Sequence, residues 1–121
     1  MRYAITFIVT AGLLFAAGCG EPTRDDRVMN IAEAACDRFD ACGEIGEGER
    51  YSSRSECLSE LEGDFYTLWP ADTCDAGQIN EAKFNSCVVD AQNFPCDSNA
   101  FDTGGFALEC RAGNVCIDPR D

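Results

Sequence analysis

Nine cysteines punctuate this sequence, and their number and spacing limit what the chain can fold into more than any other feature. Eight of them, Cys36, Cys42, Cys57, Cys74, Cys87, Cys96, Cys110 and Cys116, are spread through the body of the chain, while Cys19 stands apart near its start. An odd number cannot close completely on itself, so the count predicts eight cysteines in disulfides and a different fate for Cys19. Zinc chelation is the competing use, but cysteine ligands of zinc come in pairs about two to four residues apart. The closest pairs here, Cys36/Cys42 and Cys110/Cys116, have five residues between them. The sequence contains no histidine, which excludes Ser-His-Asp and Cys-His catalysis, His-ligated zinc and c-type haem attachment. No cofactor, metal or catalytic residue is expected.

The address of the chain is written in residues 1–18. They carry one charge, Arg2, followed by an apolar run broken only by Thr6, Thr10 and Gly12. The run is shorter than the roughly 20 apolar residues of a membrane span and has the order of a secretory signal: positive start, apolar middle, small residues. Those small residues, Ala16, Ala17 and Gly18, lead directly to Cys19. AAGC resembles the lipobox of bacterial lipoproteins, although that motif usually carries Leu where Ala16 stands. The resemblance implies that Cys19 is lipidated (palmitate included) and becomes the first residue of the mature protein. Gly20 after it implies sorting to the outer membrane of the cell envelope.

Removal of Arg2 with the signal would take the net charge of −13 to about −14. Charge of that sign argues against any grip on nucleic-acid phosphates and repels an anionic lipid surface. The expected tie to the membrane is therefore the N-terminal lipid, not a basic patch.

The expected organisation is a signal over residues 1–18, a lipid-anchored tether over 19–26 and a disulfide-rich helical domain over 27–121. The tether reading rests on the polar EPTRDD with its Pro22. Three helices are predicted. The first covers residues 26–42, with Val28, Ala32, Ala35, Phe39 and Cys42 on one face and Gly43 to stop it. The second follows a capping box, Ser53 with Glu56, and ends before Pro70, with Cys57, Leu61, Phe65 and Leu68 aligned. The third starts at residue 76 or 78, capped by Asp75 with Gln78, and runs to residue 92, with Phe84, Cys87, Val88 and Ala91 as its stripe. Beyond Cys96 the expectation is irregular chain with a short helix near residues 106–111. The fold class is thus all-α: a small disulfide-stapled bundle of about three helices with an irregular C-terminal segment.

Such a core is thin, and acidic pairs work against it. Glu33/Asp37, Glu56/Glu60 and Glu60/Asp64 lie at i,i+4, each costing about 0.2–0.5 kcal/mol. Disulfides at about 2–4 kcal/mol apiece would outweigh them. In an up-down-up bundle Cys42 and Cys57 flank one loop, Cys36 and Cys87 sit at similar heights, and Cys110 and Cys116 can close a local turn. That pairing strands Cys74 and Cys96 at opposite ends of a helix about 22 Å long. At least one of these links must give way.

Other constellations invite chemistry but have plainer readings. Residues 72–83 carry part of an EF-hand skeleton, Asp72, Gly77 and Ile79, yet Lys83 stands where the bidentate glutamate belongs. Asp97, Asn99, Asp102 and Glu109 surround Gly104 without the right count. The stripes Glu33, Asp37, Asp40 and Glu56, Glu60, Asp64 read as solvated faces, not as a glycosidase pair, which needs a cleft that raises one pKa. Ser52, Ser53 and Ser55 lie at a helix start with no nucleophile elbow or base. Tyr66, Trp69, Phe94, Phe101 and Phe106 read as packing in preference to a binding patch.

With the cysteines placed, CDRFDAC (36–42), YSSRSEC (51–57) and CVVDAQNFPC (87–96), together with AAGC, resemble the small cysteine-rich lipoproteins of myxobacteria and related Gram-negative bacteria. The resemblance lies in spacing and texture over most of the mature chain. It implies export and disulfide bonding and brings no activity with it. The expected function is that of a non-enzymatic, membrane-anchored lipoprotein that binds a protein or polysaccharide partner. The alternative is a carboxylate- or cation-dependent hydrolase.

Overall fold

A computed structural model describes residues 22–75, 78–96 and 110–116. They form four helices: α1 (Arg24–Ala41), α2 (Arg54–Leu68), α3 (Glu81–Asn93) and the single turn α4 (Ala112–Val115). Among the described residues there is no strand, only two isolated bridges, Ile45 with Tyr51 and Ile79 with Cys116. The protein is mostly helical and stapled, as the sequence predicts.

Each of the three long helices begins where a short polar side chain catches free amides. Thr23 Oγ1 accepts from the Asp26 amide at 3.2 Å and the Asp26 carboxylate accepts from the Thr23 amide at 2.8 Å, a complete capping box. The first helix therefore starts at Arg24, earlier than its apolar stripe suggested. Ser53 Oγ accepts from the Glu56 amide at 3.1 Å, but the Glu56 carboxylate reaches the amide and hydroxyl of Ser52, one residue further back than a reciprocal box requires. The third helix begins later than expected. Its cap is Asn80, whose Oδ1 accepts from the Lys83 amide at 3.1 Å. Asp75 and Gln78 instead close a separate turn, with Gln78 N–H donating to the Asp75 carbonyl. The cause is non-local: Asn80 N–H donates to the Val115 carbonyl at 2.7 Å, and Ile79 bridges Cys116. That bridge holds the backbone extended until Asn80 has passed. The short C-terminal helix lies just after the expected residues, of which those up to 109 fall outside the described chain.

Helix α1 is the shared wall. Val28, Ile31, Ala32, Ala35, Cys36 and Phe39 are completely buried along it. Arg24 at its start bonds the carbonyls that end α2, and Asp37 near its end pairs with Arg54 at the start of α2, so α1 and α2 are antiparallel. Arg27 pairs with Glu81 at the start of α3 and Arg38 bonds the Phe94 carbonyl at its end, so α1 and α3 run parallel. The bundle is up-down-up. Trp69, Phe65 and Phe84 fill one end, with Trp69 Nε1–H donating to the Cys110 carbonyl at 2.6 Å. Phe39, Phe94 and Tyr51 fill the other.

All eight cysteines of the domain are paired: Cys36–Cys57, Cys42–Cys96, Cys74–Cys116 and Cys87–Cys110, with Cα separations of 4.9–6.0 Å. None of the links expected from helix heights is made. Cys36 lies on the side of α1 that meets α2, not α3, so its partner is Cys57. Cys42, the cap of α1, meets Cys96 just past the end of α3, because parallel helices finish side by side. The return segment missing from the sequence argument is residues 110–116, which descend along α3 from Cys87 to the level of Cys74.

Two outcomes follow from this frame. Loop closure over separations of 21 to 54 residues is worth about 3–4 kcal/mol per link. Replacing Cys36 and Cys57 together by Ala should therefore cost about 3 kcal/mol in denaturant unfolding. Peptide mapping of the native protein should return the four pairs above with no alkylatable thiol among these eight cysteines.

The helix caps make a third outcome, in acid. The bonds from Thr23 hold the Asp26 carboxyl below its ordinary pKa, and those from Ser52 do the same for Glu56. A depressed folded pKa contributes stability above the ordinary carboxylate range and loses it as pH falls through the folded value. Protonating the unpartnered carboxylates acts the other way by relieving repulsion, so the readout is a difference. The melting temperature of wild type should fall more steeply with acid than that of an Asp26→Asn/Glu56→Gln variant.

Candidate functional site

Of the described basic side chains, Arg24, Arg27 and Arg38 are half-buried or buried against neighbouring elements, while Arg50, Arg54, Lys83 and Arg111 are exposed. Arg24 Nε and Nη2 donate to the carbonyls of Trp69 at 2.7 Å and Tyr66 at 3.0 Å, while its guanidinium lies 4.7 Å from the Tyr66 ring centre. Arg27, 7% exposed, makes a two-pronged pair with Glu81 and stacks on Phe84 at 4.7 Å. Arg38 Nε donates to the Phe94 carbonyl at 2.9 Å. Arg50 sits over Phe39 and pairs with Glu44 at 3.4 Å, and Arg54 pairs with Asp37 at 2.6 Å. The planar fork of arginine suits such bidentate and stacked positions, and lysine would not replace it.

Two of these contacts do the work of missing helix caps. Neither α2 nor α3 has a basic residue in its last turn, so their final carbonyls lack the local cation that favours a helix C-terminus. Arg24 and Arg38 supply it from α1. Sequence reasoning passed over these roles, although one signal was present: α1 holds Arg24, Arg27 and Arg38, while α2 holds one basic residue and α3 one.

The residues singled out from sequence fall mostly into structural roles. Trp69 is fully buried and Phe94 nearly so, and Tyr66 is half-buried with its hydroxyl donating to Asp25 at 2.8 Å. That bond is the main cause of a raised Tyr66 pKa; for Tyr51 the main cause is burial. Ser52 and Ser53 are occupied with Glu56 at the cap. Asp37 leaves the acidic stripe to pair with Arg54, and Glu56 leaves the other to cap α2. Cys19, Phe101, Phe106, Gly77, and the acidic stretch from Asp97 to Glu109 lie outside the described residues. Among the described residues no group of three or more acidic or cysteine side chains is placed to hold a metal ion. No described helix is long and apolar enough to cross a membrane.

One open recess of about 180 Å³ lies between α1 and α3, lined by Ala34, Asp37, Arg38, Ala41 and Gln92. Its one carboxylate, Asp37, is already neutralised by Arg54. The recess can take a small side chain; it does not set two carboxylates against each other.

The arginine ties make a direct test. Arg24→Ala removes two charge-assisted bonds to carbonyls and a cation–π contact, and should destabilise the domain by about 1–3 kcal/mol. Arg24→Lys should recover less than half of that loss, because an ammonium cannot span both carbonyls. Urea unfolding followed by Trp69 fluorescence reads both.

No curated protein and no solved structure matches this chain. Residues 36–118 do match a family of unknown function (DUF6184). The matched stretch opens on Cys36 and contains all eight paired cysteines. The match takes in the whole disulfide frame, and the chain belongs to this family of unknown function (DUF6184).

Proposed function

We propose that the chain is an exported lipoprotein of the bacterial cell envelope, held at the outer membrane by lipid on Cys19. Its disulfide-closed domain serves there as a non-enzymatic binding module for a protein or polysaccharide partner. The observation that carries the reading is cysteine parity. The eight cysteines among the described residues bond to one another, so none is left to pair with Cys19 within the chain. An exported protein ordinarily has no surplus thiol, and thioether linkage to a lipid disposes of this one. Four disulfides also suit an oxidising compartment.

Surface charge supports the same arrangement. With Arg24, Arg27 and Arg38 committed to contacts between helices and Arg54 neutralised at the surface by Asp37, the exterior is dominated by carboxylates and would be pushed away from anionic headgroups. A lipid tether holds such a domain near a membrane without laying it flat. The partner surface it suits is neutral or cationic.

Replacing Cys19 by Ser should abolish incorporation of radiolabelled fatty acid and move the protein from the membrane to the soluble fraction. Undiminished labelling of that variant would overturn the anchor.

A further inference from the structure

The four disulfides are not equivalent. Cys36, Cys57, Cys74, Cys87 and Cys110 have no exposed surface, and Cys116 is 8% exposed. Cys42 is half-buried and Cys96 is exposed. Three bonds are sealed in the core and one faces solvent.

The exposed bond also has a singular place in the connectivity. Cys36–Cys57 ties α1 to α2. Cys74–Cys116 and Cys87–Cys110 tie α3 and the turn before it to the C-terminal segment. Each set closes one half of the molecule on itself. Of the four, Cys42–Cys96 alone runs between the halves, joining the end of α1 to the end of α3. Without it the halves are connected by the chain between α2 and Cys74 and by non-covalent contacts: at one end Arg27 with Glu81 and Phe84 and Trp69 with Phe84 and the Cys110 carbonyl, at the Cys42 end Arg38 with the Phe94 carbonyl and Phe39 against Phe94.

We propose that Cys42–Cys96 is a site of reversible thiol–disulfide exchange, a clasp that a dithiol reductant opens while the three buried bonds stay closed. The rate of exchange depends on access to the sulfur and on which sulfur is attacked, and Cys96 is the accessible end. A thiolate of the dithiol attacks Cys96 Sγ, forming a mixed disulfide and expelling the Cys42 thiolate. The second thiolate of the reductant then attacks its own bonded sulfur and expels the Cys96 thiolate. Two electrons pass to the protein, the reductant becomes a disulfide, and its two thiol protons end on Cys42 and Cys96. Opening frees the ends of α1 and α3 to separate around Phe39, Phe94 and Tyr51, and leaves each half covalently closed. The physiological reductant is by chemistry an exported dithiol protein. The inference is independent of the lipid on Cys19.

The test is timed alkylation of the native full chain in limiting dithiothreitol, with peptide mapping of the labelled cysteines. Cys42 and Cys96 should label together, faster than the other six by about tenfold or more. The singly opened species should keep its helical circular dichroism while amide exchange rises in residues 38–51 and 91–96. Simultaneous labelling of all eight, or first labelling at a buried pair, would overturn the proposal. A Cys42→Ser/Cys96→Ser variant should lose the fast phase altogether, and a fast phase surviving in it would count equally against the clasp. Should that variant not fold, the labelling order of the wild type still decides.

Discussion

Helix α1 cannot leave its place without breaking a covalent bond on either side, and the remaining elements take their positions from it. Cys36 fixes α2 against one flank and Cys42 fixes the end of α3 against the other. A domain this small buries limited apolar area, and here the chain also carries a net charge of −13, which favours expansion. Cross-links act where packing is weak, by removing conformations from the unfolded ensemble and so shrinking the entropy that folding must overcome. The core then has only to choose among arrangements the links already permit. Trp69, Phe65 and Phe84 at one end and Phe39, Phe94 and Tyr51 at the other make that choice.

The arginines add orientation to this covalent frame. A buried guanidinium is costly unless its charge is met, and Arg27 is met by both oxygens of Glu81 and by the face of Phe84. Arg24 and Arg38 act differently, completing helix ends that belong to their neighbours. Because those carbonyls are available only where α2 and α3 stop, each bond sets axial register as well as distance. The by-product is at the surface. Cations spent inside leave carboxylates such as Glu33, Asp40, Glu60 and Asp64 outside, so the same side chains that order the bundle give it an anionic exterior.

What could be read from the sequence was what is local. The Ser53 cap and Pro70 bracket α2 as expected, because both signals act within a few residues. The start of α1 was legible in principle: Thr23 and Asp26 form a capping box, masked by the polar composition around Pro22. The start of α3 was not. Asp75 and Gln78 make a reasonable cap, and only the pairing of Ile79 with Cys116 moves the true cap to Asn80. The cysteine pairing failed for the same reason. Heights along helices place a residue on an axis, but the choice between Cys57 and Cys87 as partner of Cys36 depends on which flank of α1 it faces, and thus on how the whole bundle is assembled.

The distribution of the links has a mechanical meaning of its own. If all four bonds crossed between the same two halves, opening any one would change little, since the others would hold the register. If each lay within one half, none would govern the relation between halves. This chain has three of the second kind and one of the first. The covalent closure of each half is thereby separated from that of their junction, which rests on Cys42–Cys96 and on the packing of α1 and Trp69 against α3 and Cys110. A net bond of about 1 kcal/mol, such as a typical hydrogen bond contributes, is easily offset by the entropy of two freed helix ends. The ends of α1 and α3 beside Cys42 and Cys96 are therefore the part of the junction that loosens when its disulfide opens, and a partner that grips both ends would sense whether that bond is closed.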